Sequence, residues 1–403
     1  SSRFGADNRF GYFWGILGAW NINKENFLVN SRVISALKLR ASYGSTGNDQ
    51  IGNFDGLGLY GGGGIYNGSS GIAYTQLANT NLQWERNITT NFGIDFGLFD
   101  NRVTGTVEVY SKDTRDLLLS QPLQTTTGFT NITSNIGKLN NRGIEVSLGA
   151  DILKAKKQGD LNWNTSFTFA YNKNEVKELY GGLQILPGDN SVQVGQPLGV
   201  LFTQQFAGVN PSTGRSMWYD SSGNLTYQVT AKDRRIIGPQ NLPKFQGGWR
   251  NTVSFKNITI EWFFNYEYGR YVSDGQVNFL TENIGRINVL QTVFDNRWTT
   301  PGQVTFFPRY NVNGTEAKAS GSQSGTRNFF KADYIRLKNV SAYYDFPQSV
   351  IKKAKLASLR VYMQGTNLWT KSDWFSYDVE FVGTATGIIP QSTNYTFGVQ
   401  VGF

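Results

Sequence analysis

The chain of 403 residues contains no cysteine and no histidine. These absences exclude disulfide bonds and zinc sites built on thiolate or imidazole ligands. The lack of histidine also excludes haem held by histidine and every mechanism that uses an imidazole as general acid or base. Charged residues make up only 17% of the chain, against about 25% in typical soluble domains. This composition is unusual for a soluble enzyme.

Long apolar runs are also absent. No stretch of about 18 consecutive apolar residues occurs, which excludes a transmembrane helix. Instead, 14% of the residues are aromatic and 46 are glycine, yet the mean hydropathy is only −0.36. The net charge of +9 is scattered, and the small lysine clusters at 154–157 and 352–355 lie in turn-like segments. Nucleic acid is therefore not an expected partner.

Alternation of apolar and polar side chains with a period of two predicts β-strands through much of the chain. In 258–268 the even-numbered positions are mainly apolar and the odd-numbered positions mainly polar, with Phe263 as the exception. The pattern recurs in 37–44, 88–98, 103–112, 144–150, 161–172, 245–255, 358–366 and 394–403. A phase change in 335–346 predicts a β-bulge near Lys338 and Asn339.

A soluble β-sandwich would also alternate, but these runs are about twice the ~5–6 residues of typical strands. Charges in the clean runs lie on the polar face, and the apolar face carries none. A charge at the bilayer midplane costs about 2–4 kcal/mol, so this separation indicates that the apolar face contacts lipid. Aromatic residues gather at run ends, as in an interfacial girdle: Trp20, Trp84, Trp163 and Trp249. The expected fold class is all-β, a transmembrane antiparallel β-barrel.

Connection lengths predict the orientation. Short connections at 23–34, 99–102, 153–160, 256–257 and 347–357 alternate with long ones at roughly 47–83, 120–132, 178–243, 272–331 and 371–393. Outer-membrane barrels have short periplasmic turns and long extracellular loops, which predicts a periplasmic C-terminus. About eleven spanning strands result, and because bacterial barrels normally have an even number, we expect part of a larger barrel. Segment 195–209 resembles a strand, but the side-to-side count places it in a long loop.

Other motifs have simpler explanations. Residues 56–61 match G-x-G-x-x-G, but the helix that a dinucleotide site needs does not follow. Residues 220–224 resemble a calcium loop but lack its later ligands and closing glutamate, so a hairpin turn is the better prediction. Carboxylates on the inner wall could form a pair like that of a glycosidase, but the alternation does not place two of them at the separation that catalysis needs. We therefore predict no metal, no cofactor and no catalytic residue.

A series of longer motifs, in order along nearly the whole chain, resembles the SusC/RagA family of TonB-linked outer-membrane transporters. The motifs are 1–5, 9–13, 37–44, 46–48, 77–85, 135–137, 141–145, 195–199, 233–238, 334–340, 359–362, 365–368 and the terminal Phe403. One departure is at 376–380, where the family often has Gly-Tyr-Asp-Pro-Glu and this chain has Ser-Tyr-Asp-Val-Glu.

The resemblance implies active import of oligosaccharides or oligopeptides through a plugged barrel of about 22 strands. Residues 1–403 would be the C-terminal half of that barrel, with the plug domain and N-terminal strands absent from this chain. The TonB complex would act on that missing N-terminal region, and a SusD-like surface lipoprotein would cap the extracellular side. Rival functions are a passive porin, a surface-exposed enzyme barrel, and a barrel serving secretion or surface attachment.

Two sets of residues are predicted to carry the function. Loops 178–243, 272–331 and 371–393 are expected to contact the lid and the cargo, although self-packing of the loop aromatics is the alternative. The candidates are Trp218, Tyr219, Trp298, Trp374, Phe375 and Tyr377. The final strand is expected to be the assembly signal that the insertion machinery recognises, through Tyr395, Phe397, Val399, Val401 and Phe403. Alternatively, Phe403 is simply the last girdle aromatic.

Single cysteines introduced into this cysteine-free chain test which face contacts lipid. A water-soluble maleimide should label positions predicted to face the lumen, which are Arg40, Asp95, Glu145, Arg250, Glu261 and Arg360. It should not label positions predicted to face lipid, which are Ile94, Phe96, Val146, Phe167, Trp262 and Phe264. Labelling of a cysteine at Ile94 or Phe264 from the lumen would show that the predicted register is wrong.

Overall fold

The structure, a computed structural model, describes residues 1–157, 159–187, 189–239, 242–275, 288–309, 325–353, 355–374, 378–381, 384–385 and 389–403. The chain forms two compact units. Unit 1 comprises Ser1–Ala150 and Thr168–Leu198, and unit 2 comprises Asp151–Phe167 and Gly199–Phe403. Within the described residues, no helix is both long enough and apolar enough to cross a membrane.

Eleven strands form one sheet, which we call the wall. In sheet order they are β1 (Gly15–Asn21), β2 (Ile34–Asn48), β5 (Glu85–Leu98), β6 (Val103–Arg115), β9 (Lys138–Leu153), β10 (Asn162–Glu178), β18 (Phe245–Phe255), β19 (Ile258–Tyr268), β22 (Tyr334–Asp345), β23 (Ser358–Ser372) and β25 (Asn394–Gly402). Sheet order follows chain order, and the wall pairings resolved within each unit are antiparallel.

The remaining elements lie in the connections. The loop strands are β3 (Leu59–Tyr66), β4 (Ser69–Gln76), β7 (Leu118–Pro122), β8 (Asn131–Asn135), β11 (Ile185–Leu186), β12 (Asp189–Gln193), β13 (Val200–Gln204), β14 (Phe206–Val209), β15 (Ser216–Tyr219), β16 (Leu225–Thr226), β17 (Arg234–Pro239), β20 (Tyr271–Asp274), β21 (Phe329–Lys331) and β24 (Thr384–Ala385). Two short helices are described, α1 (Gln291–Asn296) and α2 (Gln348–Lys353). Single 3-10 turns occur at Ala6–Asn8, Ile22–Lys24, Thr125–Thr127, Tyr180–Gly182, Ala231–Asp233 and Gly325–Asn328.

The predicted number of wall strands and the predicted alternation of short and long connections are confirmed. The wall has eleven strands, and its short connections at 22–33, 99–102, 154–161, 256–257 and 346–357 alternate with long ones. Segment 195–209 does lie in a loop, where β13 pairs with β17 and β14 pairs with β15. The predicted bulge is also present, because Phe263 pairs with Asn339 while Phe264 pairs with Leu337, which leaves Lys338 as the extra residue of β22.

In unit 1 the two faces of the wall differ sharply in chemistry. Arg40 on β2 bonds both carboxylate oxygens of Asp95 on β5, at 2.8 and 2.9 Å, and also bonds Glu108 on β6. On the opposite face Phe92 and Ile94 are 61% and 43% exposed. Because side chains alternate along a strand, each strand contributes to both faces.

Unit 2 repeats this arrangement, although polar residues also occur on its apolar face. Arg250 pairs in register with Phe263, and Glu261 with Thr252, on the charged face. The opposite face includes Asn251, which is fully buried and accepts a hydrogen bond of 3.0 Å from the indole Nε1 of Trp163. The tryptophan supplies the donor that the amide oxygen needs in an apolar setting.

Buried apolar cores lie in the loops and at the ends of the strands that enter them. In unit 1, Val176 and Leu179 at the end of β10 pack with Leu186 and Val192 of the following loop. In unit 2 a core includes Val272, Ala332, Tyr334, Trp374 and Val379, and a smaller one joins Trp218 to Val229. The apolar face of the wall is exposed instead, as expected of a surface that contacts lipid.

The final strand allows a test of the assembly signal. β25 pairs with β23 from Ser358–Gly402 to Thr366–Asn394, and Phe403 is 97% exposed. If the final strand is the assembly signal, deletion of Phe403 should lower the amount of inserted protein and raise periplasmic degradation. Because Phe403 packs so little against this chain, uptake per inserted molecule should not change.

Heat-modifiable band intensity in outer-membrane fractions measures insertion. Ile389→Ala is the matched control, because Ile389 is another large apolar residue, 88% exposed, that lies outside the strand. Normal insertion of the Phe403 deletion with reduced uptake alone would instead favour a simple girdle role.

Candidate functional site

In unit 2 the last long loop is tied to the wall by a buried ion pair. Asp378 and Arg336 are each 6% exposed, and the guanidinium Nη1 and Nη2 donate to the two carboxylate oxygens at 3.2 Å each. The Nε of Arg336 donates to Oγ1 of Thr370 on the neighbouring strand at 2.8 Å. This bidentate geometry fixes the carboxylate in orientation as well as position.

A second carboxylate of the same loop, Glu380, is held by three donors. Lys338 donates to its Oε2, Asn265 donates to Oε1 at 2.8 Å, and Gln391 donates to Oε2 at 3.0 Å. Lys338 is the bulged residue of β22. Because the bulge adds one residue, β22 carries both Lys338 and Asn339 without disrupting the alternation of apolar and polar side chains on either side of the bulge. The bulge therefore adds a cation at the point where the loop meets the wall.

A third cation holds the backbone of the same segment. Arg270 is fully buried, and its Nε donates to Glu267 at 3.0 Å. Its Nη1 donates to the carbonyl of Phe381 at 2.9 Å, and its Nη2 donates to the carbonyl of Val379. A buried guanidinium is tolerated only when its donors are paired in this way.

We call these five charged residues the loop latch: Arg270, Arg336, Lys338, Asp378 and Glu380. Apolar packing supports the latch, because Trp374 and Val379 lie in one core with Val272. The indole Nε1 of Trp374 donates to Oδ2 of Asp274 at 2.9 Å. Charge pairing and burial thus fix the same loop segment independently.

Both latch carboxyls are ionised at neutral pH. Burial alone would raise the pKa of Asp378, but the backbone N–H of Glu380 and the guanidinium of Arg336 bring it below its usual range. Burial likewise opposes ionisation of Glu380, yet Lys338 and Asn265 lower its pKa on balance. The loop therefore presents two fixed negative charges to three cations.

The candidate aromatic residues occupy different environments. Trp218 is 1% exposed and packs edge-on against Phe206, with ring centroids 5.7 Å apart. Tyr219 is half-buried, with the guanidinium of Arg235 at 5.8 Å from its ring centroid. Trp218 is thus enclosed by its own loop. For this residue the structure agrees with the alternative prediction, in which the loop aromatics pack against one another.

The other candidates divide similarly. Trp298 is half-buried, and its Nε1 donates to the carbonyl of Pro211 at 2.8 Å. Its ring covers Gly214, where φ is +72° and a side chain would be both strained and obstructed. Trp374 is 3% exposed within the latch core, while Phe375 and Tyr377 lie outside the described residues. Whether the loops contact a partner or cargo stays a prediction.

The two short motifs have ordinary structural roles. Residues 56–61 run into the β3–β4 hairpin rather than into a helix. The carboxylate of Asp220 accepts the backbone N–H groups of Ser222 and Asn224 at 2.9 and 2.8 Å, closing the β15–β16 hairpin. The predicted hairpin turn is confirmed.

Sequence analysis did not identify the latch, although four of its five residues lie in segments that it compared with the family. Arg336 and Lys338 lie in the motif 334–340, and Asp378 and Glu380 lie in the motif 376–380. Their opposite charges were the available signal. Arg270 belongs to no motif or alternating run, so periodicity could not have found it.

The sheet has one charged face and one exposed apolar face, and alternating short and long connections join its strands. These features define the wall of a membrane β-barrel. Comparison with known proteins agrees with this class. The chain belongs to the family described as TonB dependent receptor-like, beta-barrel, which matches residues 19–256, more than half of its length.

Individual relatives support the SusC/RagA resemblance. The chain is 30% identical over 462 residues to TonB-dependent receptor P39 of Formosa agariphila, covering 100% of this chain and 44% of that protein. It is 29% identical over 439 residues to TonB-dependent receptor SusC of Bacteroides thetaiotaomicron, covering 100% and 41%. The structure of the RagAB peptide transporter matches with a TM-score of 0.86 and 29% identity, over 100% of this chain and 44% of that one. The chain spans less than half the length of these relatives, which are named as receptors and transporters rather than enzymes.

Substitution of the latch carboxylate tests whether it holds the loop. Asp378→Asn leaves Arg336 with a weakened partner, and an unsatisfied buried charge typically costs about 1–3 kcal/mol or more. We expect faster proteolysis within 373–393 and faster hydrogen exchange at 378–381, with unchanged heat-modifiability of the barrel. Asp373→Asn, an exposed carboxylate of the same loop, is the control.

Acid should have the same effect on the unmodified protein. Because the folded-state pKa values of both latch carboxyls are lowered, their stabilising contribution is fully present above the ordinary carboxyl pKa of about 4 and is lost as the pH falls below it. Hydrogen exchange that is equally slow in Asp378→Asn and the unmodified protein would contradict a holding role.

Proposed function

We propose that this chain forms the C-terminal half of the wall of an outer-membrane, TonB-dependent importer of large nutrients. The observation that carries the proposal is the two-faced wall of eleven strands, in a chain that aligns over its full length with SusC and with the RagAB transporter. The strand count is half of the about 22 strands of plugged outer-membrane transporters. The plug domain and the first strands would come from residues outside this chain.

The charged face of the wall suits a hydrated lumen. Arg40, Asp95 and Glu108 cross-link three neighbouring strands there, with the side chains 24–35% exposed. Such groups keep the inner surface wettable and fix its shape, whereas the exposed apolar face suits lipid. No covalent chemistry is required of the chain, since transport needs a path and a source of energy.

The long loops would form the cargo entrance and the contact surface for a SusD-like lipoprotein. The short-turn and long-loop asymmetry supports a periplasmic C-terminus and extracellular long loops. In that arrangement the loop latch keeps segment 378–381 against the charged face of the wall, so the last loop enters the transport path at a fixed position.

The cargo class is an oligopeptide or an oligosaccharide. The RagAB relative is named as a peptide transporter, which supports peptides. Half-buried Tyr219 and Trp298 offer aromatic surface that would suit either cargo. TonB would act on the N-terminal region outside this chain, as the family resemblance implies.

Energy dependence separates this function from its rivals. In cells that produce the full-length protein, depletion of TonB or addition of a protonophore should abolish uptake of labelled oligopeptides and oligosaccharides. Passage of a small solute through an unrelated porin is the control and should continue. Uptake that persists without TonB would indicate a passive porin, and absence of any uptake with intact TonB would favour a role in attachment or secretion.

The lid partner can be tested in the same cells. An affinity-tagged full-length protein should retain a SusD-like lipoprotein during mild detergent extraction. Trimming of loops 178–243, 272–331 and 371–393 should weaken that association without loss of barrel assembly. Unchanged association after all three loops are trimmed would contradict the proposed contact surface.

A further inference from the structure

The short turns of unit 2 concentrate positive charge. Turns 154–161, 256–257 and 346–357 together contain seven lysines and one acidic residue, Asp160. The lysines are Lys154, Lys156, Lys157, Lys256, Lys352, Lys353 and Lys355, and all seven are exposed. We call them the lysine rim. With a net charge of +6, these turns carry most of the chain's +9.

Backbone contacts join the three turns into one edge. The N–H of Lys256 donates to the carbonyl of Gly159 at 3.0 Å, which links the first turn to the second. The N–H of Asp345 donates to the carbonyl of Asn257 at 2.9 Å, which links the second to the strand that leads into the third. The three lysine-bearing turns therefore lie along one edge of the wall within unit 2.

The rim lysines form no ion pair with the residues that the structure describes. Within the part of the chain that the structure describes, the resolved ion pairs involve other cations, such as Arg336 and Lys338, and none of the rim lysines. The ammonium of Lys256 lies 5.2 Å from the ring centroid of Phe255. Attraction to the negative C-terminal end of the dipole of helix α2 accounts for Lys352 and Lys353, but not for the lysines of the other two turns.

Exposed apolar side chains border the rim on the lipid-facing side of the wall. Phe255 and Ile258 flank the second turn and are each 48% exposed. Ile152 and Leu161 flank the first turn at 39% and 43%, and Val350 in the third is 44% exposed. Apolar groups followed by lysines at the end of a spanning segment match the boundary between hydrocarbon and headgroups, where long lysine stems reach towards water.

We propose that the lysine rim binds the phosphate groups of anionic phospholipids in the leaflet at the short-turn end of the barrel. The proposal rests on the membrane placement in the proposed function. Every basic residue of these turns is lysine, whose compact charge on a flexible stem suits dispersed phosphates, whereas arginine suits one fixed bidentate partner. Continuity with the exposed apolar face favours a lipid surface over an acidic protein or cell-wall polymer.

Lipid titration of the detergent-purified full-length protein tests this proposal. The probes are fluorescent phosphatidylglycerol and, as the neutral comparison, fluorescent phosphatidylcholine. The variants are K352Q/K353Q/K355Q and K154Q/K156Q/K157Q. The matched control is K232Q/R234Q/K244Q, which removes three exposed positive charges from the long loop 179–244.

Each rim variant should bind phosphatidylglycerol at least tenfold more weakly, since one lysine near an anionic surface contributes up to roughly fivefold. Phosphatidylcholine binding should not change, the control should bind like the unmodified protein, and raised salt should weaken binding of the unmodified protein. K352R/K353R/K355R should retain binding, because it keeps the charge while altering the stems.

Equal phosphatidylglycerol affinity in the rim variants and the unmodified protein would overturn the proposal. So would loss of binding in the lysine-to-arginine variant, which would point to packing rather than charge. Loss of binding to soluble peptidoglycan fragments with unchanged lipid affinity would assign the rim to the cell-wall polymer instead. Uptake by the unmodified protein is measured separately, so failure of TonB-dependent import is distinguishable from failure of lipid binding.

Discussion

Lipid accepts neither an isolated charge nor an unpaired peptide group, and the wall is arranged around that restriction. Antiparallel pairing satisfies the hydrogen bonds of the peptide groups between neighbouring strands. Successive side chains of each strand then point to opposite faces, one suited to lipid and the other to water. Asn251 is an exception on the apolar face: it is fully buried, and its amide oxygen accepts a hydrogen bond from Trp163, while its Nδ2 has no partner among the described residues. The same restriction leaves the charged side chains to bond one another across the opposite face.

The loop latch arises from this division of the strands. Arg336 and Lys338 follow Tyr334 at spacings of two, so the strand presents their charges on one side. The wall already holds these cations in place. The two carboxylates of a loop that returns along that side can therefore pair with them with little further loss of conformational entropy. The bulge at Lys338 then restores the apolar phase for Val340 and Ala342.

Most of the fold could be predicted because one physical rule governs each spanning residue. The number of wall strands, their order and the bulge at Lys338 all follow from periodicity and connection length. The interior of the loops could not be predicted in this way. Trp218 and Trp298 both lie in long loops, yet one is enclosed against Phe206 and the other covers Gly214. Loop packing of this kind depends on contacts between distant segments, which have no repeating period.

The position of the buried cores, in the loops and at the strand ends that enter them, has a consequence for how such a molecule can change over generations. Val176 and Leu186 stabilise one loop core, and Val272 and Trp374 another, while the wall depends on strand pairing and its surroundings. A substitution that repacks one loop core leaves the lipid-facing register untouched. Mutation can therefore explore new loop shapes on a wall whose strand register is already fixed.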